Sequence, residues 1–239
     1  MTEAEWLACE DTRPMLEYLG EKASDRKLNL FAAWCCWAIW GHMKKGSRRN
    51  VEVTERFFEG RARQTVLNAA IAKATAAFED TSENTIEHYI TLPASLVPVN
   101  DVQEADCVAY TVAKVVAHPP VYPDDSIETT DETETTYAAK VLSEQARQCR
   151  VLRCIFGNPF RPVTLGPAWR TPIVLCLAEA AYDDRSLPSG TLDPDRLAVL
   201  ADALEDAGCS DADILSHLRG PGLHVRGCYV VDRLLGGTE

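Results

Sequence analysis

Roughly the last ninety residues of this 239-residue chain constrain its fold most, because helix start and stop signals follow one another there at short intervals. Thr171-Pro172 offers a capping side chain followed by a proline at the first helical position, and Asp193-Pro194 repeats the device. Leu197, Leu200, Ala201 and Leu204 recur at the spacing of one helical face, and Gly208 closes that segment. Ser210 reads as the cap of the next helix, with Asp213 at the capping-box position, and Gly220-Pro221-Gly222 stops it. The last helix is expected over His224–Leu235, ended by Gly236-Gly237. Capping, propensity and periodicity agree, which marks a well-specified set of packed helices.

Helical signals also run through the rest of the chain. Thr2–Cys9 reads as a short helix, and Asp11 and Thr12 cap a second one that Gly20 ends. Ser24 caps a long helix from about Asp25 to His42. Leu28, Phe31, Cys35 and Ile39 form one stripe of it, while Trp34, Trp37 and Trp40 fill other faces; a helix apolar nearly all round is buried on several sides. Lys44–Asn50 reads as a basic loop before helices over Val51–Gly60 and Arg61–Glu79. Ile86–Leu96 fits a helix or a strand turning at Pro93, and Val102–His118 fits a helix better than a strand. Pro119–Thr136 holds three prolines, six acids and no base, and reads as an exposed loop. Tyr137–Phe156 resumes the helical pattern, and the Pro/Gly-rich stretch Gly157–Trp169 carries Phe160, Leu165 and Trp169 across a surface. An apolar fraction of 46% and a charged fraction of 25% suit an ordinary globular core. The expectation is an all-α, or nearly all-α, protein with helical subdomains at 1–118 and 137–239, joined by the acidic loop 119–136.

Two blocks are distinctive in wording. One is MTEAEWLACEDTRPMLEYLGEKASDRKLNLFAAWCCWAIW at the start. The other runs IFGNPFRPVTLGPAWRTPIVLCLAEAAYDDR and then LAVLADALEDAGCSDADILSHLRGPGLHVRGCYVVDRLLG. Both resemble a family of bacterial helical proteins that carries no established activity. The resemblance implies a helical fold in two blocks and implies no chemistry. Residues 60–145 depart from that family's middle, with more β-branched residues and the acidic loop.

The net charge of −12 excludes general affinity for nucleic acid or an anionic membrane. The charge is uneven, since residues 26–63 carry nine Lys/Arg against three Glu. Arg48, Arg49 and Arg56 in that stretch are candidate contacts for an acidic partner, although such residues more often pair with a protein's own acids. The longest apolar run, Leu30–Trp40, is eleven residues and too short to span a bilayer. Nine cysteines, an odd number, and an acidic N-terminus without a signal-peptide pattern fit reduced thiols in a cytoplasm.

The densest chemistry sits in Cys209, His217, His224 and Cys228. Two thiols and two imidazoles are the donor set of a tetrahedral zinc site. His224 and Cys228 stand four residues apart and would share a face of the last helix. Cys209 and His217 would lie about 12 Å apart along a helix, so a closed tetrahedron needs a ligand from elsewhere. The competing reading makes these groups helix caps and small core residues. A Cys228, His224 and Asp232 stripe would supply nucleophile, base and acid, but nothing marks an oxyanion hole. Arg161 and Arg226 suit carboxylates, with Asp202, Asp206, Asp211 and Asp213 as internal partners, or else a phosphate or an acidic peptide. No P-loop, dinucleotide loop, HExxH, GxSxG or CxxC is present.

The leading expectation is therefore a non-enzymatic helical interaction or regulatory module with a protein partner. The alternatives are a zinc-binding protein centred on the C-terminal Cys/His cluster and a nucleic-acid-associated protein using residues 26–63.

Overall fold

A computed structural model describes residues 1–83, 85–117 and 131–236. These form α-helices with no strand among the described residues, in line with the all-α expectation. Backbone proximity divides the chain into two compact units. Unit 1 holds Ala8–Cys149, together with Met1; unit 2 joins Thr2–Leu7 to Arg150–Glu239.

Unit 1 contains α2 (Thr12–Leu19), α3 (Asp25–Trp37), α4 (Lys45–Phe58), α5 (Gln64–Glu79), α6 (Ile86–Leu96), α7 (Val102–Ala117) and most of α8 (Asp131–Phe156). Every residue of α3 from Lys27 to Trp37 is buried, because the helix packs against α4, α6 and α7. Trp34 and Trp37 are in the core, Trp40 stacks on Trp37 at 4.1 Å between ring centroids, and the Arg147 guanidinium lies over Trp34. The aromatic cluster is thus mainly packing.

Two buried asparagines close unit 1 where helices meet irregular backbone. Asn29 donates to Val99 O at 2.9 Å and accepts from Val99 N at 2.8 Å, and Asn50 donates to Ala94 O and Val97 O. Asn29→Ala leaves a buried N–H and a buried C=O at Val99 without partners. It should cost about 3 kcal/mol, measured by urea unfolding, since each orphaned group costs roughly 1–3 kcal/mol. A loss below about 0.5 kcal/mol would show the clamp to be dispensable.

Several expected boundaries shift. The basic segment Lys44–Asn50 is not a loop, because α4 starts at Lys45. Ser47, Asn50, Val51 and Thr54 give that helix a buried face, which the high charge of the sequence obscures. The last six residues of the expected 119–136 loop are helical, since α8 begins at Asp131 and glutamate is a good helix former. Residues 119–130 of that expected loop lie outside the described residues. The division between units falls inside α8, at Cys149 and Arg150.

Unit 2 contains α1 (Glu3–Ala8) up to Leu7, the end of α8, α9 (Pro172–Asp183), α10 (Pro194–Asp206), α11 (Ala212–Arg219) and α12 (Tyr229–Leu235). The punctuation works as expected at α9 and α10, where the Thr171 and Asp193 side chains accept from Val174 N and Asp195 N. The α11 cap is Asp211, not Ser210; its carboxylate takes both Asp213 N and Ile214 N. The last helix is shorter than expected, starting at Tyr229 rather than His224. The residues before it run extended: Leu192 N donates to His224 O at 2.8 Å and Thr191 bridges Val225. Gly227, at φ 93°, then turns the chain in a conformation side chains rarely adopt. Among the described residues, no helix is long and apolar enough to cross a membrane.

Candidate metal centre

Unit 2 brings four metal-ligating side chains together: Cys154, His217, His224 and Cys228, whose ligand atoms all lie within 4.8 Å of one another. Each comes from a different piece of backbone. Cys154 is in the last turn of α8, His217 is near the end of α11, His224 is on the extended segment and Cys228 is the N-cap of α12. The Gly220-Pro221-Gly222 break ends α11 and lets the chain double back, so His217 and His224 meet ring against ring at 4.6 Å.

The geometry suits one small cation. His217 Nε2 lies 3.3 Å from Cys228 Sγ, and His224 Nδ1 lies 4.0 Å from Cys154 Sγ. A tetrahedral zinc ion with bonds of about 2.3 Å to sulfur and 2.0–2.1 Å to nitrogen separates such donors by roughly 3.5 Å, a value the two distances bracket. Cys154, His224 and Cys228 are buried and His217 is half-buried. His224 Nε2 is buried and has no hydrogen-bond partner.

Burial works against a charged thiol at both sulfurs, yet the two part company. At Cys228 the burial penalty is outweighed by Cys154, His217 and His224, which hold the thiol well below its ordinary range. Burial, reinforced by Cys228, pushes Cys154 well above it. The two sulfurs are thus pushed in opposite directions, Cys228 towards and Cys154 away from the thiolate form that binds a cation. A zinc ion would hold both as thiolates and leave the cluster neutral.

Of the four residues expected as ligands, His217, His224 and Cys228 converge and Cys209 does not. Cys209 is buried in the turn between α10 and α11, where its N–H donates to Leu204 O. It stands at the opposite end of α11 from His217, and Cys154, far away in sequence, takes the place the 12 Å gap left open. The expected helical stripe of His224, Cys228 and Asp232 is not formed, because His224 precedes the helix. Asp232 instead accepts a 2.5 Å hydrogen bond from Tyr182, whose hydroxyl also takes Gly227 N.

The arginine candidates are engaged within the protein. Arg161 pairs with Glu3 at 2.7 Å rather than with an aspartate of α10 or α11. Arg226 donates to Tyr182 O and lies over that ring. In the basic stretch, Arg48 donates to Trp40 O and Gly41 O, Arg49 stands 3.6 Å from Glu52, and Arg56 reaches Arg61 O. Arg26 meets Glu59 and Lys44 meets Glu87, so much of the local positive charge is balanced by neighbouring acids. The chain matches no family model, no curated protein and no solved structure, so the reading of the site rests on its geometry.

Proposed function

We propose that this is a zinc-binding protein whose Cys154, His217, His224 and Cys228 form a closed structural site in unit 2. The observation that carries the reading is the convergence of two sulfurs and two ring nitrogens from four separate backbone segments within 4.8 Å. A set of two thiolates and two imidazoles selects zinc over magnesium or calcium, which take oxygen ligands. Four protein donors leave no open coordination position, which favours a structural ion over a hydrolytic one. Bound there, the ion would tie α8, α11, the extended segment and α12 at one point.

Elemental analysis of protein purified without chelator tests this directly. The expected result is close to one zinc per chain, together with a tetrahedral thiolate-cobalt spectrum after exchange with Co2+. Protein that carries no zinc and does not take up either ion at micromolar concentration would overturn the reading.

A further inference from the structure

Beside the Cys/His cluster, unit 2 has an open cavity of about 380 Å³, in the size range of small-molecule sites, and His217 forms part of its wall. Its rim already holds a carboxylate. Glu3 accepts from Asn158 Nδ2 at 2.7 Å and from Arg161 Nε at 2.7 Å. The two donors are preset by their own loop: Arg161 N donates to Asn158 O, and Asn158 Oδ1 takes Phe160 N. The loop is anchored at Gly157, where φ is 71° and a Cβ would come within 3.1 Å of the Tyr229 ring. These bonds hold the loop backbone and the Asn158 side chain, so Asn158 Nδ2 and Arg161 Nε can meet one carboxylate together. Leu7, Val163 and Tyr229 supply apolar wall.

Glu3 is a weakly held occupant. The Arg161 side chain is 63% exposed and that of Glu3 31%, and exposed pairs of this kind are readily exchanged. We propose that the cavity binds a small organic carboxylate with an apolar body, and that Glu3 is its built-in competitor. The ligand's carboxylate replaces that of Glu3 on Asn158 and Arg161, and its body lies against the apolar wall of Leu7, Val163 and Tyr229. The carboxylate contacts come from Asn158 and Arg161, neither of them a proposed zinc ligand, and the cavity shares only the His217 wall with that cluster.

The test is calorimetric titration of the full chain, with its metal content measured beforehand, using benzoate as the carboxylate and benzamide as its neutral counterpart. Benzoate should bind and benzamide should not. Glu3→Ala should bind benzoate about threefold more tightly, because the competitor is gone, and Arg161→Ala should bind at least about tenfold more weakly. If Glu3 only docks α1, Glu3→Ala loosens the wall and weakens binding, the opposite sign. That sign, equal binding of benzamide, or no benzoate binding to either wild type or Glu3→Ala would each overturn the proposal. Arg161 is exposed, so its replacement should leave the melting curve unchanged. Metal content is read in the same samples, so loss of zinc and loss of carboxylate binding are told apart.

Discussion

Cys154→Ser should strip the zinc from this protein, and Cys209→Ser should leave it in place. The first replacement removes a sulfur that stands 4.0 Å from His224 Nδ1 inside the cluster. The hydroxyl left behind is a far poorer ligand for zinc than a thiolate. Loss of hydrogen-bonding partners around metal ligands already weakens binding by about 10–100-fold, so loss of a ligand itself should exceed that. Cys209 is equally a cysteine of the C-terminal helices and nearly as buried, but it lies outside the group. Its replacement should cost only packing. Competition with a colorimetric zinc chelator reads both variants on one scale. Equal zinc retention by Cys154→Ser and wild type would remove Cys154 from the site, and loss of zinc by Cys209→Ser would restore the ligand set first read from the sequence.

Chelation should melt unit 2 and spare unit 1. A ligand that binds only the folded state stabilises by about 4 kcal/mol when its free concentration is a thousand times its dissociation constant. In a domain of this size each kilocalorie moves the midpoint by about 4–8 °C, so removing zinc should lower the melting of unit 2 by on the order of 20 °C. The cause is local. Without the ion, the end of α8, the end of α11, the extended segment and the α12 cap lose their common tie. Unit 1 contains none of the four ligands. Hydrogen exchange resolves the two: protection should fall in α11, α12 and residues 222–228 after chelation, and hold in α3 and α7. Uniform loss across both units, or no change in either, would show that zinc does not support this fold in the way described.

The sequence carried the helices well where their ends are chemically marked. Thr171-Pro172 and Asp193-Pro194 act as written, because a cap and a proline are local devices. It misled where a local signal pointed one way and packing another. Lys45–Asn50 looks like a charged loop, yet Ser47 and Asn50 face the core of unit 1, and only the partners Ala94 and Val97 reveal why. His224 sits in a stretch that could continue a helix, but pairing with Leu192 and Thr191 holds it extended. The metal site was half legible for the same reason. His217, His224 and Cys228 are close in sequence, and the excessive span to Cys209 showed that one ligand was missing. Cys154 carries no spacing signal, because a ligand brought in by tertiary packing leaves none. Eight other cysteines in the chain offered no way to choose it.

The composition of unit 2 also sets an order of events during synthesis. Its parts are Thr2–Leu7 and everything from Arg150 onward, while unit 1 is essentially continuous from Ala8 to Cys149. Chains emerge from the ribosome N-terminal end first and their domains fold as units. Helix α1, with Trp6 destined to be fully buried, must therefore wait while all of unit 1 is made. The rest of its unit, from Arg150 through Cys228 and beyond, appears only after that. The apolar side chains of α1 are thus sheltered later than those of unit 1 that follow them in the chain. For that interval, supply of a metal to the proposed site and protection of α1 become one problem for the cell.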